Sequence, residues 1–200
     1  MVDLEYDGTT IRWASLGKTY KASSGFPPRL IKPNEISEDY RNSKFQNVPL
    51  GPLPEGTYEM RVFLNGTAPV GIIDHANGRG GPDDTYPDIY AARTLDRSGI
   101  QQIPSDVVDP RTKLSYNYRG SWGFQIIRLF KTNNVKSNRD NFYLHDSKKG
   151  YSHGCIEAET TLFDDLKSEL IFKHANKPFT LLLNIKYPTS SSSTYGETDK

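Results

Sequence analysis

Alternating apolar and polar positions predict β-strands in the first third of the chain. Residues 9–14 (TTIRWA) alternate after an Asp-Gly turn, and residues 18–23 (KTYKAS) follow as a second strand. Residues 27–56 contain six prolines, and proline interrupts strands and helices alike, so we expect an irregular loop there. The strand pattern resumes over residues 57–64 (TYEMRVFL).

The second half of the chain predicts three more strands and one helix. Residues 122–130 (WGFQIIRLF) present side chains alternately to two faces, and residues 141–146 (NFYLHD) form a short strand that runs into a turn. Residues 178–187 (PFTLLLNIKY) are apolar enough for a central strand. A helix is predicted over residues 159–174, where apolar residues recur at helical spacing: Leu162, Phe163, Leu166, Leu170 and Ile171.

These elements predict a mainly β fold, a mostly antiparallel sheet with the one helix packed on it. The length of 200 residues suits a single domain, which we place at residues 1–187. Residues 188–200 (PTSSSSTYGETDK) carry few apolar side chains, and we predict that they form a disordered Ser-rich tail.

Charge and terminal sequence restrict the classes of partner. The chain has 25 Lys and Arg residues against 24 Asp and Glu residues, for a net charge of +1. Electrostatic binding to nucleic acid or to a membrane needs a basic excess, so neither partner is expected. No run approaches the roughly 20 apolar residues that span a bilayer. The first residues, MVDLEY, do not form a secretory signal, which predicts synthesis in a cytosol without export by the general route.

The single cysteine, Cys155, stands close in sequence to two histidines, His145 and His153. A thiol is a strong nucleophile only as the thiolate, and a nearby imidazole can accept its proton. A further polar group behind the imidazole fixes its tautomer, and Asp146 and Ser152 are the local candidates for that role. The segment therefore has the residue types of a nucleophilic cysteine site.

Gly154 permits a sharp turn before Cys155 and leaves amide N–H groups for an oxyanion hole. Two other roles fit a lone cysteine. It is often a small buried hydrophobe, and beside a histidine it can ligate a metal, although zinc needs three or four ligands. From residue types alone the nucleophile and the core cysteine stand about level, and no metal is assigned.

The motif in this segment favours the nucleophile. Residues 152–156 (SHGCI), preceded by residues 142–145 (FYLH), resemble the signature of the L,D-transpeptidase catalytic domain family (YkuD-type). Residues 23–25 (SSG), 52–58 (PLPEGTY) and 122–124 (WGF) are similar to further segments of that family. The resemblance implies a β-sandwich or barrel with one packed helix near residues 159–174.

The resemblance also implies roles for individual residues and a substrate. The site would attack the L-to-D bond of a peptidoglycan stem tetrapeptide, release the terminal D-alanine, and pass the acyl group to an amine or to water, without a cofactor or a metal. In the implied site, Cys155 is the nucleophile, His145 is its general base, and the backbone or side chain of Asp146 orients that base. The other implied members are the second histidine His153, the pocket and oxyanion residues Ser152 and Gly154, and the substrate-binding candidates Tyr143, Arg128 and Trp122.

The sequence departs from the family pattern in two places. Glu157 stands where the family usually has a basic or small polar residue that helps to hold the substrate carboxylate. Arg119, Arg128 and Arg139 are alternatives for that role, but the interpretation we favour for each is an ordinary surface arginine. The loop from His145 to Cys155 is shorter than in the cell-wall-building enzymes, which predicts a more open site.

The opening of the chain, with Asp7-Gly8, Trp13 and Ser24-Gly25, resembles the L,D-transpeptidase effectors of type VI secretion systems. That resemblance implies an antibacterial toxin that acts in the periplasm of a target cell, with a cognate immunity protein and a secretion-system delivery component as partners. Two alternatives remain open: a cell-wall cysteine amidase or endopeptidase of another class, and a catalytically degenerate peptidoglycan-binding module.

Overall fold

The structure is a computed structural model that describes residues 2–28, 30–32, 35–68, 71–74, 85–88, 98–108, 113, 115–152 and 154–199. Its strands are β1 (Leu4–Tyr6), β2 (Thr10–Trp13), β3 (Lys18–Ser23), β4 (Leu30–Lys32), β5 (Glu35–Ile36), β6 (Gly56–Val62), β7 (Leu64–Thr67), β8 (Gly71–Asp74), β9 (Thr85–Asp88), β10 (Ile100–Gln102), β11 (Val107–Val108), β12 (Ser115–Tyr116), β13 (Gln125–Lys131), β14 (Phe142–His145), β15 (Ile156–Ala158) and β16 (Phe179–Ile185). Its α-helices are α1 (Arg119–Trp122) and α2 (Thr160–Ser168).

Eight strands close into a barrel in the order β14-β15-β3-β2-β1-β16-β6-β13, because β13 also pairs with β14. Most neighbours are antiparallel, but β1 with β16 and β14 with β15 are parallel pairs. Strands β10 and β7 extend the sheet beyond β13. The prediction of a mainly β fold with mostly antiparallel pairing and one packed helix is confirmed.

The barrel core follows from the two-residue period of the strands. Ile11 and Trp13 of β2 are buried inside, and the intervening Arg12 is exposed. Strand β13 is apolar on both faces, since Ile127 lies in the barrel core and Ile126 lies in a separate cluster outside it. That second cluster is where the candidate chemistry lies.

Helix α2 packs against the same core, as its sequence period predicts. Its buried residues Leu162, Phe163 and Leu166, with Leu170 of the following turn, belong to the cluster formed by the strands. The helix continues as one π-helical turn, Glu169–Lys173, so the predicted range 159–174 holds within a residue at each end. Within the described residues, each helix is too short or too polar to cross a membrane.

The strand prediction differs from the structure in several places, and residues 27–56, which we expected to be irregular, contain the paired strands β4 and β5. The strand expected from residue 122 begins at Gln125, because residues 119–122 form the helical turn α1. The strand expected over 57–64 is divided between β6 and β7. Strand β1 was not predicted from its three residues, yet it joins β2 to β16 and thereby helps to close the barrel.

Residues 188–199 lie against the barrel, whereas their composition predicted disorder. Thr194 is fully buried, its hydroxyl donates to the Ser24 carbonyl at 2.7 Å, and its own carbonyl accepts from the Ser24 N–H at 2.8 Å. The Gly196 N–H donates to Ser23 Oγ at 2.9 Å. Hydrogen bonds at the end of β3 therefore hold this segment, which an apolar count does not detect.

Gly196→Ala is expected to lower the free energy of unfolding by roughly 1–3 kcal/mol, as overpacking does. A Cβ at Gly196 would overlap the carbonyl oxygens of Thr9 and Ala22. Gly120→Ala is the matched control, because a Cβ there meets nothing within 4 Å. Urea unfolding of both variants measures the difference. Equal stability of the two would contradict the packed arrangement of the C-terminal segment.

Candidate active site

The parallel pair β14–β15 places the candidate residues on one face of the sheet. Leu144 pairs with Ile156, and both side chains point into the barrel core. His145 pairs with Glu157, and because side chains alternate along a strand, both point to the outer face. Cys155 directly precedes β15 and lies on the same outer face, in the second cluster. The sheet thus places His145 and Cys155 on adjacent strands and on the same face, with Glu157 directly opposite His145.

Cys155 is 2% exposed, within an apolar cluster that also contains Ala68, Ile103, Tyr118, Ile126 and Tyr143. Two hydroxyls fix its backbone: Ser24 Oγ donates to the Cys155 carbonyl at 2.6 Å, and Ser152 Oγ donates to the same oxygen. Ser152 thus fixes the backbone of the cysteine, a role different from the predicted orientation of the imidazole or lining of the oxyanion pocket, and Ser24 shares it. The predicted site residue His153 lies outside the described residues.

Gly154 faces Arg139 and occupies the left-handed region at φ +88°. A Cβ at this position would overlap the Arg139 Nη2 atom, so glycine allows the guanidinium to lie against the cysteine loop. Arg139 Nη1 donates to the carbonyls of Gln46 and Pro52, both at 2.7 Å. The interpretation of Arg139 as an ordinary surface arginine is therefore wrong: it ties the proline-rich loop to the site.

Two cations lie near the cysteine. Burial lowers the pKa of Arg139, and a thiolate at Cys155 acts in the opposite direction. Burial likewise lowers the pKa of Lys149, against the opposing charges of Glu157 and Cys155. Because each cation is stabilised by a negative sulfur, each in turn favours the thiolate form of Cys155 over the thiol. Burial of the sulfur in an apolar cluster acts in the opposite direction, because it favours the neutral thiol.

His145 is buried and held on two sides. Its Nδ1 lies 3.1 Å from Ser147 Oγ, and its ring contacts the edge of the Trp122 ring, with centroids 5.3 Å apart. Burial, with a smaller effect of the Lys149 ammonium, lowers the pKa of His145 from 6.5 to about 3. The imidazole is therefore neutral near pH 7, with one nitrogen lone pair, and burial makes it a weaker proton acceptor than a solvent-exposed histidine.

Asp146 has a different role from the one predicted for its side chain. Its Oδ1 accepts from the N–H groups of Phe124 and Gln125 at 2.6 and 2.8 Å, and its Oδ2 accepts from Gln125 Nε2 at 3.1 Å. These bonds fix the start of β13. The residue that contacts the His145 ring nitrogen is Ser147, one position further along the loop.

Glu157 is fully buried and accepts four hydrogen bonds. Its Oε2 accepts from Ser147 Oγ and from the Lys149 N–H at 3.0 Å, and its Oε1 accepts from the Gly150 N–H at 2.6 Å and from Thr198 Oγ1. The carboxylate thus fixes the loop between His145 and Cys155. From the sequence, Glu157 was interpreted only as a departure from the family pattern. Its position two residues after Cys155, which places both side chains on one face of a strand, was the available signal.

The three substrate-binding candidates surround this centre. Tyr143 is buried in the cluster of Cys155, and the Trp122 ring meets it edge-on with centroids 6.1 Å apart. Arg128 pairs with Tyr143 across β13 and β14 and donates through Nη2 to Asn141 Oδ1 at 3.2 Å. Its guanidinium also lies over the Phe130 ring at 5.0 Å. Tyr143 and Trp122 therefore form a wall of the site, and Arg128 supplies a positive charge on the same face.

The free energy of unfolding is expected to decrease as the pH is lowered below about 6.5, because of His145. The unfolded state binds a proton near pH 6.5, whereas the folded state binds it only near pH 3. Between these values the free energy of unfolding decreases by at most about 1.4 kcal/mol per pH unit from this group. Urea unfolding at several pH values should therefore show a flatter pH dependence for His145→Gln. Parallel curves for the two proteins would contradict a buried neutral imidazole.

Comparison with known proteins finds no family model that matches the chain and no curated protein sequence that matches it. The function is therefore inferred from the chain's own residues and their arrangement.

Proposed function

We propose that this protein is a cysteine-dependent L,D-transpeptidase and L,D-carboxypeptidase that acts on peptidoglycan stem tetrapeptides, and that its barrel is the L,D-transpeptidase fold. One observation carries the proposal: β14 and β15 place a neutral His145 and Cys155 on the same outer face. The partly buried cations Arg139 and Lys149 near the sulfur support it, because they favour the thiolate.

The proposed reaction proceeds in two acyl transfers. His145 takes the proton of the Cys155 thiol, and the sulfur attacks the carbonyl carbon of the third stem residue. The amide groups at Gly154 and Cys155 stabilise the oxyanion. The C–N bond to D-alanine then breaks, and the leaving amine takes the proton from His145. An amine or water attacks the resulting thioester, the C–S bond breaks, and the proton returns to the sulfur.

Mass spectrometry of purified tetrapeptide muropeptides tests this reaction. We expect incubation with the protein to give tripeptides by loss of D-alanine, and an added D-amino acid to appear in the terminal position. Cleavage elsewhere in the stem or at the glycan link would indicate a cell-wall amidase or endopeptidase of another class. Unchanged tetrapeptides, with the protein folded, would contradict the proposal.

We further propose that the protein acts in the periplasm of a target bacterium as a secreted antibacterial effector, since its substrate lies there. Its partners would be a cognate immunity protein and a secretion-system component. Expression in a test bacterium with an added periplasmic signal is expected to lyse or deform the cells, whereas expression without the signal is not. A harmless periplasmic form that still releases D-alanine in vitro would contradict the effector role alone.

A second candidate function is a peptidoglycan-binding module with a degenerate site. The observation that favours it is the 2% exposure of Cys155, which leaves little of the sulfur accessible to a substrate. Iodoacetamide labelling near pH 7 separates the two functions. Fast labelling of Cys155 supports the activated nucleophile, and labelling as slow as that of a buried thiol, together with muropeptide binding, supports the module.

A further inference from the structure

A continuous hydrogen-bonded chain runs from Glu157 through Ser147 to His145. Ser147 Oγ donates to Glu157 Oε2, and the same oxygen lies 3.1 Å from His145 Nδ1. The three side chains are 0%, 3% and 2% exposed, in that order. Bulk water therefore does not compete for these contacts, and each bond is stronger than it is in solution.

The direction of the hydrogen bonds is fixed by the number of protons. Ser147 has a single hydroxyl proton, and that proton is directed to the Glu157 carboxylate. The Ser147 oxygen therefore meets the imidazole with a lone pair, and the contact is a hydrogen bond only if Nδ1 carries the ring proton. The Lys149 and Gly150 N–H groups hold the carboxylate in place from the loop side.

We propose that Glu157 and Ser147 are positioning residues that hold His145 in the Nδ1–H tautomer. This role rests on the proposed function, in which His145 takes the Cys155 proton. Glu157 then performs through Ser147 the task that was predicted for the side chain of Asp146. The chain is thus a His–Ser–Glu relay behind the cysteine.

The relay has a defined effect on the proposed reaction. When Nε2 accepts the thiol proton, the imidazolium carries a proton on each nitrogen, and Nδ1–H continues to donate to Ser147. The negative Glu157 stabilises this cation through the hydroxyl, while the Lys149 ammonium opposes it. The carbonyl of Trp122 also lies beside the ring and favours the protonated form.

The relay extends to the C-terminal segment. Thr198 Oγ1 donates to Glu157 Oε1 and contacts Ser23 Oγ at 3.0 Å. The second oxygen of the carboxylate is therefore held by Thr198 and by the Gly150 N–H, and Thr198 in turn contacts Ser23 of β3. This arrangement fixes the position of the carboxylate independently of Ser147, so a change at Ser147 leaves Glu157 anchored by three donors.

Nitrogen-15 NMR of ring-labelled histidine tests the relay without a substrate. Near pH 7 we expect His145 to show a protonated Nδ1 and an unprotonated Nε2 in the unmodified protein and in Ser147→Thr. In Ser147→Ala we expect a mixture of tautomers or the Nε2–H form. A protonated Nε2 in the unmodified protein, or a tautomer unchanged by Ser147→Ala, would overturn the relay.

Kinetics of D-alanine release give the second measurement. Ser147→Ala is expected to lower kcat by at least about tenfold with a small change in KM, and Ser147→Thr to restore it. Ser43→Ala is the control, because Ser43 is equally buried but donates to the Thr189 carbonyl outside the site. An equal loss of kcat in both alanine variants would overturn the relay. If the proposed function is wrong, neither the unmodified protein nor any of these variants releases D-alanine. The NMR measurement still determines the tautomer of His145 in that case.

Discussion

Cys155→Ala is expected to abolish D-alanine release, with a loss of at least about 10⁴-fold in kcat, because no other group in the proposed mechanism forms the acyl intermediate. Cys155→Ser is expected to lose nearly as much, since the site favours a thiolate through Arg139 and Lys149, and a hydroxyl does not ionise there. Intact-mass spectrometry should detect an acyl adduct on the unmodified protein and on neither variant.

Ile103→Val provides the matched control for this result. Ile103 is fully buried in the same cluster as Cys155, so the variant also removes a small apolar volume from the site. Its expected cost is about 0.5–1.5 kcal/mol of stability with most of the activity kept. Residual D-alanine release by a folded Cys155→Ala protein, at the level of the Ile103→Val protein, would exclude the cysteine as the nucleophile.

Glu157→Gln is expected to reduce the free energy of unfolding by roughly 2–6 kcal/mol, because the carboxylate accepts from two backbone N–H groups that cannot turn away. A glutamine keeps one acceptor oxygen and presents an NH₂ group in place of the other. Whichever way the amide is oriented, its NH₂ group faces either the Lys149 N–H or the Gly150 N–H. One backbone donor is then buried without an acceptor.

Glu59→Gln is the control for this change of charge. Glu59 lies on the barrel surface, where its side chain is 36% exposed and forms an ion pair with Arg61. Loss of such a pair is expected to cost less than about 1 kcal/mol. Chemical denaturation of both variants provides the comparison. A similar small cost at the two positions would show that the buried carboxylate is not the anchor of the loop.

The elements that were predicted well are those with a strong period. Residues 18–23 form β3 with the predicted bounds, and the helix pattern is realised by α2 and the turn that follows it. The closure of the barrel could not be predicted from the spacing of apolar residues. It depends on β1, a strand of three residues, and on the parallel pairing of β14 with β15. Such long-range pairings are set by the whole core.

The motif predicted the central residues of the candidate site, but not the residues that hold them in place. Positions close to Cys155 in the chain identified His145 and Ser152, and the structure places both at the site. Arg139 was misread as a surface residue, because an isolated charged residue in a sequence is most often a solvated one, and Glu157 was treated only as a departure from the family pattern. Their burial arises from contacts with residues 46–52 and with Thr198, far away in sequence.

The position of β16 between β1 and β6 has a consequence for how the chain folds. Strand β16 closes the barrel between β1 and β6, and it lies later in the chain than the other barrel strands. Without residues 179–185, the barrel cannot close, and the edges of β1 and β6 stay unpaired. The barrel is therefore expected to form in one late cooperative step, once β16 is present.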